Sequence, residues 1–162
     1  MIHTKRAFTA FLGYGAVLTI TGCAMPHINT ADLGPGLRTH EEVTRYVSGN
    51  FVPNGLGGGN YFAANGSIFY VETKIDQIGT GRWVAGDGKH SPLCMNDLVI
   101  YSLTDGTTTE TENGDVCFWI YPQADGTAVW DGIGRGNLNV EKTVKGFPLK
   151  ARFDQLREAM GI

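Results

Sequence analysis

Apolar and polar residues alternate with a period of two through most of residues 60–144. Turn dipeptides interrupt the alternation at Asn65-Gly66, Asp87-Gly88, Asp105-Gly106, Asn113-Gly114 and Asp125-Gly126. Such dipeptides accept positive φ, so the pattern predicts consecutive antiparallel hairpins. The stretches 68–75, 98–103 and 116–121 are rich in β-branched and aromatic residues, which suit a pleated, half-buried surface. In 116–121, Val116, Phe118 and Ile120 share one face while Cys117, Trp119 and Tyr121 share the other. Both faces carry apolar matter, which predicts a central strand. The expected fold class is mainly β: an antiparallel meander or small up-and-down barrel of about six to eight strands, with a short helix at each end.

The helices follow from a change of period. Thr39 and Glu42 have capping-box spacing, Val43, Tyr46 and Val47 form one stripe, and Gly49 supplies a left-handed stop. At the other end Leu149, Phe153, Leu156 and Met160 recur at helical spacing within residues 148–160. Between the first helix and the sheet, Pro53, Asn54, Gly55, Gly57, Gly58 and Gly59 predict an irregular, mobile connection. Pro26, Asn29, Asp32, Gly34, Pro35 and Gly36 give residues 24–37 the composition of a flexible spacer.

The first segment reads as an address. Lys5 and Arg6 precede an apolar run over residues 7–20 that is too short for a permanent membrane helix, the arrangement of a secretory signal. Its end, Leu18, Thr19, Ile20, Thr21, Gly22 and Cys23, resembles the lipobox of bacterial lipoproteins. That resemblance implies a diacylglycerol on the Cys23 thiol, cleavage after Gly22 and acylation of the new amine. Several acyl chains make a stable anchor where one is marginal. Ala24 is not the aspartate that resembles an inner-membrane retention signal, so the expected location is the outer membrane, facing the periplasm. The expected organisation is a signal peptide over 1–22, a tether over 23–38 and one β-rich domain over 39–162.

Composition and charge narrow the partners. Glycine at 23 of 162 residues is about twice the usual share and favours strands and turns over long helices. The net charge is −3; loss of Lys5 and Arg6 with the leader leaves 11 basic against 16 acidic residues, or −5. No basic stripe suits a phosphate backbone, so nucleic acid is not an expected partner. Acyl chains rather than electrostatic attraction must then hold the protein at lipid.

With Cys23 lipidated, Cys94 and Cys117 are the remaining thiols, and an oxidising compartment predicts a disulfide between them. Facing residues in a hairpin have numbers with a constant sum. A two-residue turn at Asp105-Gly106 sets that sum at 211, the sum for Cys94 and Cys117 as well. Asn113-Gly114 reads as a turn and leaves a long-loop hairpin open as the alternative. A metal site of His90, Cys94 and Cys117 is a second alternative, short of a fourth ligand.

Catalytic motifs are sparse. Ser48, Ser67, Ser91 and Ser102 sit in no Gly-x-Ser-x-Gly elbow, and His27, His40 and His90 have no metal-ligand spacing. Gly79-Thr80-Gly81 and the run from Gly132 to Gly136 do not complete a phosphate-binding fingerprint and are read as hairpin turns; Asp115, Asp125 and Asp131 are read as turn residues rather than calcium ligands. No cofactor and no catalytic set is expected. The aromatics Tyr61, Tyr70, Trp83, Tyr101, Trp119, Tyr121 and Trp130 serve as core or, as the alternative, as a ligand surface; Trp83, Tyr101, Trp119 and Trp130 are the candidate binding residues.

Gly81, Trp83, the Gly86-Asp87-Gly88 turn, Cys94 and Cys117, with the helix ending at Gly49-Asn50 and the Asn65-Gly66 pair, resemble a family of small bacterial periplasmic proteins. The resemblance covers about residues 39–145 and implies a β-rich fold. The architecture is also similar to periplasmic inhibitors of lysozyme or proteases. The preferred reading is a non-catalytic, lipid-anchored envelope protein that binds a protein or wall polymer. The alternatives are a hydrolase inhibitor and a carrier of a small apolar ligand.

Overall fold

The computed structural model describes residues 33–86, 92–132 and 138–162. Cys23, His90 and the Asp87-Gly88 turn lie outside the described residues. Helix α1 (His40–Val47) starts on the expected capping box: the Thr39 hydroxyl accepts from the Glu42 N–H at 3.1 Å, and the Glu42 carboxylate accepts from the Thr39 N–H at 3.1 Å. Gly49 follows at φ 76°, the left-handed stop.

Ten antiparallel strands form one curled sheet: β1 (Asn50–Pro53), β2 (Gly59–Phe62), β3 (Ser67–Glu72), β4 (Gln77–Ala85), β5 (Leu93–Thr104), β6 (Thr107–Asn113), β7 (Val116–Pro122), β8 (Ala128–Gly132), β9 (Leu138–Glu141) and β10 (Val144–Lys145). Ten exceeds the expected count because two staves are interrupted. β6 leads into β7 across Gly114 and Asp115, and β9 leads into β10 across Lys142 and Thr143. The segment 138–145 pairs with β8 through its first half and with β1 through its second, so both margins of the sheet meet one stretch of chain. Helix α2 (Lys150–Met160) follows, ended by Gly161 at φ 71°.

Alternation sorts the apolar residues onto two faces. Inside the curl, Val52, Phe62, Ile68, Trp83, Leu93, Met95, Val116, Ile120 and Trp130 pack with Val43 and Val47 of α1, which plugs one end. On the outer face, Phe51, Val71 and Ile78 pack under Phe153, Leu156 and Met160 of α2. At about 25 cal/mol per Å² of apolar surface, each fully buried Leu, Ile or Phe contributes roughly 2–3 kcal/mol.

Antiparallel register also fixes the two ends. At the α1 end lie the turn at 63–66, the Gly86–Pro92 pair that follows Ala85 and precedes Leu93, and the turn at 123–126; His40 Nδ1 meets the Ala85 carbonyl there at 3.0 Å. At the opposite end lie the loop at 54–58, the turn at 73–76 and the tip at Asp105-Gly106.

Three expectations are corrected. The glycine-rich connection is short and tied down: Pro53 and Gly59 are a strand pair, and the Asn54 side-chain oxygen accepts from the Leu56 and Gly58 N–H groups at 2.9 and 3.1 Å. Gly58 is required by close approach, since a Cβ there would fall 2.1 Å from the Val71 carbonyl oxygen. Asn54 also donates to the buried carboxylate of Glu72 at 2.8 Å, which joins this loop to the turn at 73–76. Gly79 and Gly81 are strand residues rather than a turn. A Cβ on Gly81 would lie 2.8 Å from the Asn96 carbonyl oxygen, because β5 bulges toward it between Asn96 and Leu98. Asn113-Gly114 is the interruption between β6 and β7, and the long-loop alternative gives way to the two-residue turn.

Candidate functional site

The hairpin register follows the sequence arithmetic. Thr104 faces Thr107, Leu98 faces Asn113 and Leu93 faces Phe118, so one constant holds from tip to base. Asp105 and Gly106 both have positive φ, 49° and 77°, as a two-residue type I′ turn requires. Cys94 and Cys117 are directly opposed with their sulfurs bonded at 2.06 Å, so neither is a free thiolate for the alternative metal site. Both point to the outer face, since Leu93, Met95 and Val116 point inward.

Beyond the disulfide, Trp119 and Tyr121 continue along the outer face of β7, with Asp131 of β8 opposite Trp119 in register. Asp131 is thus a strand residue and not part of a turn, whereas Asp125 does shape its turn, accepting from the Thr127 N–H at 2.9 Å and from its hydroxyl at 2.7 Å. Residues 33–38, the end of the expected tether, run alongside β7. The Leu37 N–H donates to the Ile120 carbonyl at 2.8 Å, and Leu37 packs against the inner core. A Cβ on Gly36 would stand 3.1 Å from the Ile120 carbonyl oxygen and the Tyr121 ring, so the strap sits close because glycine is there.

Strap and strand flank an open cleft of about 620 Å³, lined by Leu33, Pro35 and Arg38 on one side and Trp119, Ile120 and Tyr121 on the other. Partial burial, with the Asp131 charge as a smaller contribution, holds the Tyr121 phenol above its ordinary pKa of 10.0, so it stays a neutral donor at any physiological pH. Two aromatic faces, a guanidinium, a nearby carboxylate and an extended backbone suit a flat, hydroxyl-rich ligand held by stacking and hydrogen bonds.

The four candidate aromatics are not brought together. Trp83 and Trp130 are 7% and 4% exposed in the inner core: the Trp83 indole N–H donates to the Ala63 carbonyl at 2.8 Å, and Trp130 stacks on Phe62 at 6.2 Å. Tyr101 faces outward with the residues under α2. Trp119 alone of the four lines the cleft. Tyr121 belongs to the wider aromatic set but not to the four candidates, although it shares a face with Trp119; Arg38 was missed, and nothing local marks it.

The interior offers little room. The space between Val52, Asn60, Phe62, Met95, Phe118 and Trp130 is about 50 Å³, far below the roughly 300 Å³ that a carried apolar ligand needs. Among the described residues no three His, Cys, Asp or Glu side chains group as a metal site, and no helix is long and apolar enough to cross a membrane. No family model, curated protein or solved structure matches the chain, so no residue role is carried over from a relative.

Proposed function

We propose that the protein is a lipid-anchored envelope module that binds, without turning over, a saccharide-bearing wall polymer in the cleft between residues 33–38 and β7. The observation that carries this reading is that Trp119 and Tyr121, neighbours on one face of β7, line a cleft together with a backbone strap hydrogen-bonded to that strand. The strap is the continuation of the segment that starts at the lipobox cysteine. The cleft therefore stands at the end of the barrel where the anchor joins, within a short span of the membrane that would hold it. The small interior weighs against the carrier reading.

Two experiments test it. Cys23→Ser in the full chain is expected to move the protein from the membrane fraction to the soluble fraction; retention in the membrane overturns the anchor. Sedimentation with purified peptidoglycan is expected to retain the protein and to lose most of it on Trp119→Ala. Equal sedimentation of both overturns the cleft as the site. Stoichiometric loss of lysozyme or protease activity on adding the protein, with no polymer binding, replaces this reading by an inhibitor.

A further inference from the structure

The stretch from Leu93 to Phe118 carries five acidic residues, Asp97, Asp105, Glu110, Glu112 and Asp115, and no lysine or arginine. About a quarter of it is β6, whose seven residues are all exposed and which, among the described residues, pairs only with β5. The turn decides which backbone groups are spare. In a two-residue hairpin the closing pair, Thr104 with Thr107, is hydrogen-bonded, and bonded pairs then recur at every second residue. Thr107, Thr109, Thr111 and Asn113 spend their backbone groups on β5, whereas Thr108, Glu110 and Glu112 turn theirs to the open edge. Where the edge ends toward the α1 end, a hollow of about 360 Å³ is lined by Asp97, Val99, Glu112, Asn113 and Asp115.

We infer that the open edge of β6 receives an extended, basic segment of a partner protein as an added strand. Its alternate lysines or arginines stand opposite Glu110 and Glu112, and one long cationic side chain enters the hollow beside Asp97 and Asp115. Main-chain bonds to residues 108, 110 and 112 supply the generic affinity, and cross-strand charge pairs supply the choice of partner. A second copy of the edge is the wrong occupant because glutamates would face glutamates. The chain's own residues 23–32 contain no lysine or arginine and offer no matching charge. Edge strands that are only shielded from pairing commonly carry lysine, proline or a bulge, and none occurs within β6. This surface is separate from the cleft on β7, so either assignment stands without the other.

The test uses the full chain and two blocked six-residue peptides, Thr-Lys-Val-Lys-Val-Thr and Thr-Glu-Val-Glu-Val-Thr. Amide hydrogen exchange is read at each residue of β6. The basic peptide is expected to slow exchange at residues 108, 110 and 112 and to leave 107, 109 and 111 unchanged, and to bind roughly tenfold tighter than the acidic one. The pair Glu110→Lys with Glu112→Lys should reverse that order, and Glu110→Gln with Glu112→Gln should abolish it; both positions are exposed, so the fold tolerates them. Absence of protection, equal protection by both peptides, or binding that leaves those three amides exchanging freely overturns the inference.

Discussion

The ribbon from Leu93 to Phe118 keeps one register from base to tip, yet its two halves meet opposite environments. In the base half, β5 and β7 are clipped by a disulfide and set between β4 and β8, with Leu93, Met95 and Val116 buried. In the tip half the same β5 pairs with β6, where every residue is exposed. The register sum is common to both, so it does not by itself account for the difference. What changes is the chain beyond the pair. β8 covers β7, while nothing described covers β6, and the sequence changes from Val-Cys-Phe-Trp to Thr and Glu at the same point. The bulge opposite Gly81 and the interruption at Gly114 fall at that junction, where the strand leaves the barrel wall. One register therefore supports a structural wall and an open edge, and side-chain chemistry decides which is which.

That contrast is open to attack at several points. The largest effect is expected from Leu93→Ala, which empties a fully buried site and should lower the unfolding free energy by about 4 kcal/mol in urea titration; Thr109→Ala in the tip half should change it by under about 0.5 kcal/mol. Equal losses would show that the tip half is as structural as the base. Replacing Cys94 and Cys117 together by alanine reopens a loop with a sequence separation of 23 and should cost about 3 kcal/mol, read as a lower urea midpoint than the oxidised protein. Gly81→Ala forces a Cβ against the backbone of Asn96 and Leu98, so about 2 kcal/mol should be lost, with the largest amide shifts at the β4–β5 bulge. Shifts confined to residue 81 would show that the bulge yields without strain.

The smallest effect is electrostatic and belongs to the turn that ends β7. The Thr127 hydroxyl, and then its N–H, hold the Asp125 carboxyl below its ordinary pKa of 3.8. A carboxyl whose folded value is depressed favours the folded state above its unfolded pKa and loses that contribution as pH falls through the folded value. Exchange at the Thr127 amide should therefore rise relative to its neighbours as pH drops below about 3.8, and Asp125→Asn should remove that dependence.

Much of the architecture was legible locally. The capping box at Thr39 and Glu42, the helix under Phe153, Leu156 and Met160, the turns at Asn65-Gly66, Asp105-Gly106 and Asp125-Gly126, and the pairing of Cys94 with Cys117 all follow from residues near one another or from hairpin arithmetic. The site was less legible. Trp83 and Trp119 are equally conspicuous as tryptophans in strands, but one faces inward under α1 and the other faces a strap contributed by residues 33–38. Likewise the glycines at 57–59 look like slack chain, whereas close approach of Val52 and Val71 carbonyls gives two of them no alternative.

The amino-acid order alone settled period, turn type, helix caps and hairpin register, because each depends on neighbours a few residues away or on a count from one turn. Tertiary structure decided which sheet face became interior, where the barrel's two margins converged, that the tether's last residues form one wall of a cleft, and that β6 keeps an open edge. Those outcomes depend on contacts between segments tens of residues apart, where the energy lies in shared burial and no single segment carries its mark.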